Sequence, residues 1–461
     1  MKTLTSFFSK NKWFWLIFSF FLFLRLFPYL NNNIPLGYDS GLYFSMFTGY
    51  SHVPWLNFFS LPSWISGNEP GIFFFQRLLT LSNPLWAEGS LIPIIIGASA
   101  LLFLSVYLMA KKMWGKGTAL WTVFLFSVSA LQYRTYWYYY LKNIAALSFL
   151  SLTTYFLFSA SYFAIPFTIL TFYFHRPASV FLMIILLTGL IFEKNKRKFY
   201  LIVTLVSLLI VAPYYLLTFT STVLPLIKPI LKITGNTDSG TFYEALVALG
   251  LSLIYLPFSI WGVLKQGKIK KIVFAPFILS LIIVIFKLFF NRRIIIFADF
   301  FLLFFAGWSA NQFFSLRTRL RQLLKIIYIL LCVIFISIFV WKTAKPLIFP
   351  DEFSEIKLLN ETEPDALVLV TDQTYTPWAY GWSGRRVIAP GFGENDVYWT
   401  QEEWNVFWMS GDIEKEKVLL LKLPQPLYIY HGDKGSQINL KLEGECFQKI
   451  NWRTYKFICT N

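Results

Sequence analysis

Residues 35–43 read Pro35-Leu36-Gly37-Tyr38-Asp39-Ser40-Gly41-Leu42-Tyr43, a carboxylate set between two glycines and two tyrosines. They follow an apolar stretch from Trp13 to Leu30, so Asp39 stands where the chain would leave a bilayer. Only seven acidic residues precede position 345: Asp39, Glu69, Glu88, Glu193, Asp238, Glu244 and Asp299. A carboxylate in that setting can take a proton from a substrate hydroxyl or amide, with Tyr38 and Tyr43 as substrate contacts. It can equally close an Asx turn or cap the helix-like run Leu42 to Thr48. Glu69, in Gly67-Asn68-Glu69-Pro70-Gly71, is a second candidate acid for the same segment.

The cations suggest what such a base would work on. Arg292-Arg293 are adjacent guanidiniums suited to a phosphate. Asp299 follows Arg292 by seven residues, two helical turns along one face; it either orients Arg292 or forms a structural ion pair. His175-Arg176-Pro177 marks a tight turn that either contacts phosphate or only starts a helix at its proline. Arg134 and Lys142 flank the aromatic run Tyr136 to Tyr140, which either stacks a substrate or forms an interfacial belt. Arg25, in the outer part of the first apolar stretch, pairs with a lipid head group or snorkels outward.

The elements that must position these groups are membrane helices. Of 461 residues, 56% are hydrophobic and 20% aromatic. The mean hydropathy is +0.56. Such values exclude an ordinary soluble domain. Hydropathy gives about eleven spans, near 13–30, 89–110, 118–131, 142–159, 161–174, 177–192, 199–217, 244–264, 272–290, 294–314 and 326–341. The first reads as an anchor and not as a cleaved signal peptide. With the N-terminus cytoplasmic, the clusters around Lys10, Lys111, Lys196, Lys270 and Arg319 all fall on one face, as the positive-inside rule requires. An odd span count then places the C-terminus outside.

The net charge of +17 belongs to those loops: residues 1–345 carry 30 Lys and Arg against 7 acids, whereas 346–461 carry 11 against 17. That distribution argues against a nucleic-acid partner. The expected organisation is a membrane domain, 1–345, with a long external loop at 31–88, and an external α/β domain, 346–461. Apolar runs at Trp55–Ile65 and Ile72–Leu81 read as interfacial helices. In the tail, strand signals lie at Ala366–Val370, Arg386–Ile388, Val418–Leu421 and Leu427–Tyr430, and a helix signal at Gln401–Trp408. Cys446 and Cys459 flank a strand-like segment, and a disulfide or two thiols both fit; Cys332 reads as a packed apolar residue. The three histidines, His52, His175 and His431, build no zinc motif, and no phosphate-cradling Gly-Lys-Ser/Thr loop occurs.

A cytoplasmic N-terminus, one span with Arg25, then an external loop opening on Gly37-Tyr38-Asp39-Ser40-Gly41-Leu42-Tyr43 resembles the plan of the GT-C membrane glycosyltransferases. These include protein mannosyltransferases, aminoarabinose transferases and oligosaccharyltransferase catalytic subunits. Asn68-Glu69-Pro70-Gly71 with Phe73 to Leu79 is similar to the Pro-containing helix closing that loop in mannosyltransferase-like members. Three departures stand out: Ser40 follows Asp39 where many members have a second acid, the segment Gln132 to Tyr140 has no acid, and Pro377-Trp378-Ala379-Tyr380-Gly381-Trp382 lacks the Asp of the oligosaccharyltransferase Trp-Trp-Asp-Tyr-Gly motif. A divalent metal is therefore without a second acidic motif, and no cofactor is read.

The resemblance implies transfer of a sugar from a polyprenyl-phosphate donor to a protein, lipid or glycan acceptor at the extracytoplasmic face of the cell membrane. Asp39 would be the base, and the anomeric configuration would invert. A transporter or flippase for lipid-linked glycans, or a glycan polymerase, is the alternative. Transporters tend to show internal repeats and acids near the bilayer midplane, and neither pattern is evident here.

Overall fold

A computed structural model describes residues 11–50, 70–80, 85–220, 242–265, 271–288, 290–315, 318–389, 398–434 and 441–459, with positions 83 and 224. The helices before residue 345 are α1 (Lys12–Leu26), α2 (Ser40–Tyr50), α3 (Gly71–Thr80), α4 (Leu85–Trp114), α5 (Lys116–Val128), α6 (Ala130–Trp137), α7 (Leu141–Phe158), α8 (Ala164–Phe174), α9 (Arg176–Phe192), α10 (Arg197–Leu217), α11 (Ala245–Ser252), α12 (Leu256–Lys265), α13 (Lys271–Ile285), α14 (Asn291–Phe314) and α15 (Arg319–Thr343). The tail adds α16 (Pro350–Leu358), β1 (Leu367–Val370), α17 (Thr376–Trp382), β2 (Arg386–Ile388), α18 (Gln401–Met409), α19 (Ile413–Leu420), β3 (Leu427–Tyr430), β4 (Phe447–Lys449) and β5 (Thr454–Phe457).

Among the described residues six helices are long and apolar enough to cross a membrane, or seven if the bent pair α11 and α12 forms one span. Four further apolar helices, α5, α8, α9 and α13, are only 10–17 residues long. Two expected spans are broken. The run expected at 118–131 stops at Val128, where Ser129 is extended (φ −69°, ψ 115°) and its side chain accepts the Gln132 amide as the cap of α6. The run expected at 244–264 turns by 90° between α11 and α12.

The chain forms two compact units. Among the described residues the first holds 11–32, 70–75 and 93–344, and the second holds 33–50, 76–92 and 345–459. In the first, helices pack through small residues and aromatic rings. A Cβ on Gly307 would lie 2.1 Å from Thr122 Oγ1, and one on Gly262 would lie 2.5 Å from the Phe305 carbonyl, so only glycine permits these approaches.

In the second, a five-stranded sheet has the order β2-β1-β3-β5-β4, parallel from β2 to β3 and antiparallel beyond. Leu367, Leu369, Ile388, Leu427 and Ile429 bury one face against Trp399, Trp404 and Phe407. Val418–Leu421, expected as a strand, lies mainly in α19. Asp412 caps that helix and pairs with Lys415, while Glu414 pairs with Lys417, and these local interactions outweigh the β-branched signal. Cys446 and Cys459 form a disulfide beside the β4–β5 hairpin, and Cys332 is a buried free thiol.

Candidate active site

The cationic candidates lie in the first unit, and the turn between α6 and α7 organises them. Tyr139 there has φ 64° and is fully buried, a left-handed conformation that costs a bulky residue energy. The turn sets the rings of Tyr138 and Tyr140 in a stack, 5.2 Å apart and 11° from parallel. Arg134 lies over Trp137 at 3.7 Å and Tyr138 at 4.4 Å. Arg293 lies 5.1 Å from the Tyr140 ring. It sits in the first turn of α14, just after Phe290, which also has a left-handed φ of 50°. Arg134 and Arg293 thus flank one aromatic slab. The Arg134 Nε is buried without a hydrogen-bond partner among the described residues, a donor left for a ligand.

Several expectations are corrected here. Segment 132–140 is no loop: it is α6 and its turn, and Tyr133, Tyr136 and Tyr139 are buried inside the unit, not placed in an interfacial belt. Arg25 neither snorkels nor reaches a head group. It is 1% exposed, 3.6 Å over the Phe21 ring and near Tyr133 and Tyr136, whose faces hold the cation inside. Tyr136 also donates to the Arg25 carbonyl at 2.7 Å. Asp299 does not orient Arg292. It accepts from Gln132 Nε2 at 2.8 Å, from Ser129 Oγ at 3.0 Å and from the Tyr255 hydroxyl. Arg292 instead pairs with Glu244 at 2.7 Å on an exposed edge. His175 is buried, caps α9 and stacks 6.1 Å from Phe297, with half-buried Arg176 and Pro177 opening the helix. Lys142 is half-buried in the first turn of α7.

The carboxylate candidate lies in the second unit. Gly37 turns the chain with φ 78°, and half-buried Tyr38 and Asp39 immediately precede α2. The Asp39 carbonyl accepts the Tyr43 amide at 3.1 Å, opening the helix. Tyr43 is 3% exposed and packs 5.9 Å from Phe47. Glu69 and the Trp55–Ile65 run lie outside the described residues.

α2 is held against α17 of the tail. A Cβ on Gly41 would meet the Pro377 carbonyl, and one on Gly381 would lie 2.5 Å from the Gly41 carbonyl. Phe44 stacks on Trp382 at 4.6 Å, and Trp382 stacks on buried Trp378 at 5.2 Å.

That contact brings in two residues the sequence reading passed over. Burial first, then the charges of Asp39 and Asp372, push the Tyr38 phenol well above its usual range, so it stays protonated and can only donate while a carboxylate is beside it. Asp372 and His431 follow the parallel strands β1 and β3 at their carboxyl ends, where open α/β sheets present functional groups. The Thr374 amide donates to Asp372 Oδ1 at 2.6 Å, and Thr371 Oγ1 lies 2.9 Å from His431 Nδ1. Burial lowers the His431 pKa against the opposing pull of Asp372 and Asp433. The one available signal was position: polar residues within two positions of the end of a buried strand.

The described residues do not fit a caged divalent ion. Segment 132–140 offers no carboxylate, and no group of three or more His, Cys, Asp or Glu stands together among them.

No protein-family profile matches the chain, and no curated protein matches it by sequence. Solved structures do match its fold. ArnT from Cupriavidus metallidurans bound to undecaprenyl phosphate has a TM-score of 0.57 at 11% identity, over 97% of this chain and 98% of that one. The Archaeoglobus fulgidus oligosaccharyltransferase AglB with an inhibitory peptide and a dolichol-phosphate gives 0.56 at 12%, over 92% and 70%. The same oligosaccharyltransferase tethered to an acceptor peptide gives 0.63 at 13%, over 92% and 69%. The chain therefore shares the fold of ArnT and of the oligosaccharyltransferase AglB.

Proposed function

We propose that the chain is a membrane glycosyltransferase that moves a sugar from a polyprenyl-phosphate donor to an extracytoplasmic acceptor. The observation that carries this reading is the extent of the likeness to the undecaprenyl-phosphate-bound ArnT structure, 97% of one chain and 98% of the other. A shared helical bundle alone would not extend through a tail domain.

A sugar bound through phosphate already has a good leaving group, so the protein must activate the acceptor and steady the departing charge. Asp39 takes the acceptor proton as the acceptor oxygen or nitrogen bonds to the anomeric carbon. The carbon–oxygen bond to phosphate breaks in the same displacement, inverting the configuration. Arg134 and Arg293 hold the phosphate, and the Tyr138–Tyr140 stack supports the sugar or first prenyl unit. Glu69, Lys142, His175 and Arg176 are secondary candidates, and Tyr43 acts by packing.

The four short apolar helices also cross, which with the seven longer elements makes eleven spans and puts the tail outside. One-sided basic clusters and the Cys446–Cys459 disulfide, suited to an oxidising compartment, support that orientation. Transport draws support from the 90° bend between α11 and α12 near Asp299, yet three side chains already hydrogen-bond that acid.

The test uses the purified full chain in liposomes with radiolabelled polyprenyl-phosphate sugars prepared from the native membrane. Transferase activity moves the label from polyprenyl phosphate to a protein, lipid or glycan acceptor supplied as native membrane extract. Movement of label between leaflets with no cleavage would replace this reading with the flippase.

A further inference from the structure

The first unit contains a groove of about 460 Å³ between α1, α5, α14 and α15 that the proposed reaction does not use. Its walls are apolar, with Leu16 and Phe20 of α1, Leu120 and Phe124 of α5, and Val333 of α15. Two polar groups break this surface. Lys325 is half-buried, and its ammonium lies 5.7 Å from the Trp121 ring. Among the described residues it makes neither a hydrogen bond nor an ion pair. The side-chain amide of Asn311 also makes no hydrogen bond among them, and it fits only because Gly117 faces it: a Cβ there would lie 2.5 Å from Asn311 Oδ1.

No acid balances Lys325 among the described residues. α1, α5 and α15 contain none, and Asp299, the only acid of α14, lies twelve residues before Asn311, about 18 Å along the helix. Nearby positions add only positive charge: Lys12 and Lys116 begin α1 and α5, and Arg319 and Arg321 begin α15. An apolar slot with an uncompensated ammonium and a free amide at one end matches an amphiphile whose head is anionic and accepts hydrogen bonds.

We propose that this groove binds one anionic phospholipid of the surrounding bilayer, its phosphate held by Lys325 and Asn311 and one acyl chain along Leu16, Phe20 and Phe124. Lys325 belongs to the basic N-terminal face, whereas Asp39 and Arg293 fall on the opposite side in the sequence topology, so the site is separate from the proposed reaction. A chain seated there would join the first helix to the last membrane helix.

The experiment delipidates the purified full chain and adds dioleoyl phosphatidylglycerol, dioleoyl phosphatidylcholine or undecaprenyl phosphate. Native mass spectrometry counts retained lipids, and thermal unfolding gives their effect. One phosphatidylglycerol should be retained in preference to phosphatidylcholine and should raise the unfolding temperature. Lys325→Gln should reduce that preference about fivefold, Lys325→Arg should keep it, and Lys265→Gln, an exposed charge outside the groove, should leave it unchanged. Equal loss in Lys265→Gln and Lys325→Gln would mean diffuse surface attraction and overturn the proposal. Displacement of phosphatidylglycerol by one undecaprenyl phosphate in a Lys325-dependent way would also overturn it, making the groove a carrier-lipid site.

Discussion

Gly41 in α2 and Pro377 in α17 approach so closely that a single added methyl on Gly41 would lie 2.0 Å from the Pro377 carbonyl oxygen. The obstacle is backbone, so no side-chain rotation relieves it. Gly41→Ala should therefore push α2 off α17 and cost about 1–3 kcal/mol. Thermal unfolding should fall, and a cysteine at Phe44, otherwise stacked on Trp382, should become reactive to a polar thiol reagent. Unchanged stability would mean that α2 and α17 do not form this contact.

Asp39 follows from the same contact. Asn keeps its shape and capping ability but not its basicity, so Asp39→Asn should stay folded and lose about 10²–10⁴ in transfer rate. Asp372→Asn should act differently. It removes a charge beside Tyr38, whose phenol burial keeps protonated in either case, so turnover should fall far less than in Asp39→Asn. Near-normal transfer by Asp39→Asn would leave the segment a cap and a packing element.

The two arginines flanking the Tyr138–Tyr140 stack should matter more than the exposed one beside them. Arg134→Gln and Arg293→Gln should each raise KM for the lipid-linked donor roughly 10- to 100-fold, the range of one charge-assisted hydrogen bond. Arg292→Gln removes an exposed pair with Glu244, worth about 0–1 kcal/mol, and should change KM little. Steady-state kinetics with varied donor separates the two.

Tail stability should depend on pH through Glu416. Its carboxylate is fully buried in α19, with both oxygens lacking a well-formed hydrogen bond among the described residues and only weak help from the Lys441 backbone. Burial raises its pKa from 4.5 to about 7. The folded state therefore holds this proton more tightly than the unfolded chain. The resulting stability is full below about pH 4.5 and is lost as pH rises through about 7. Glu416→Gln should flatten this slope and raise the unfolding temperature at pH 8 by roughly 5 °C, with little change at pH 4.

Orientation is tested by reporter fusions. Fusions after residue 115 should report the cytoplasm, and fusions in 31–50 and after 345 the outside. A cytoplasmic tail would remove the basis for extracytoplasmic transfer and for the disulfide's compartment.

What the sequence determined by itself was local. An apolar run carries its own length and hydropathy, so the membrane class and most helix positions were legible from Trp13 to Trp341. Short continuous apolar runs such as Leu367–Val370 and Leu427–Tyr430 were legible as strands for the same reason. Asp39 stood out because acids are so few before the tail. Tertiary structure decided everything that depends on partners far along the chain. Arg25 is interior only because Tyr133 and Tyr136 meet it, more than a hundred residues later. Asp299 is satisfied by Ser129, Gln132 and Tyr255 and not by the nearby Arg292, because α14 presents it to α6 and α11–α12. Asp372 comes near both Tyr38 and His431 through parallel pairing of β1 with β3 and the Gly41–Pro377 approach. Hydropathy and periodicity encode which face of an element is apolar; they do not encode which other element covers it.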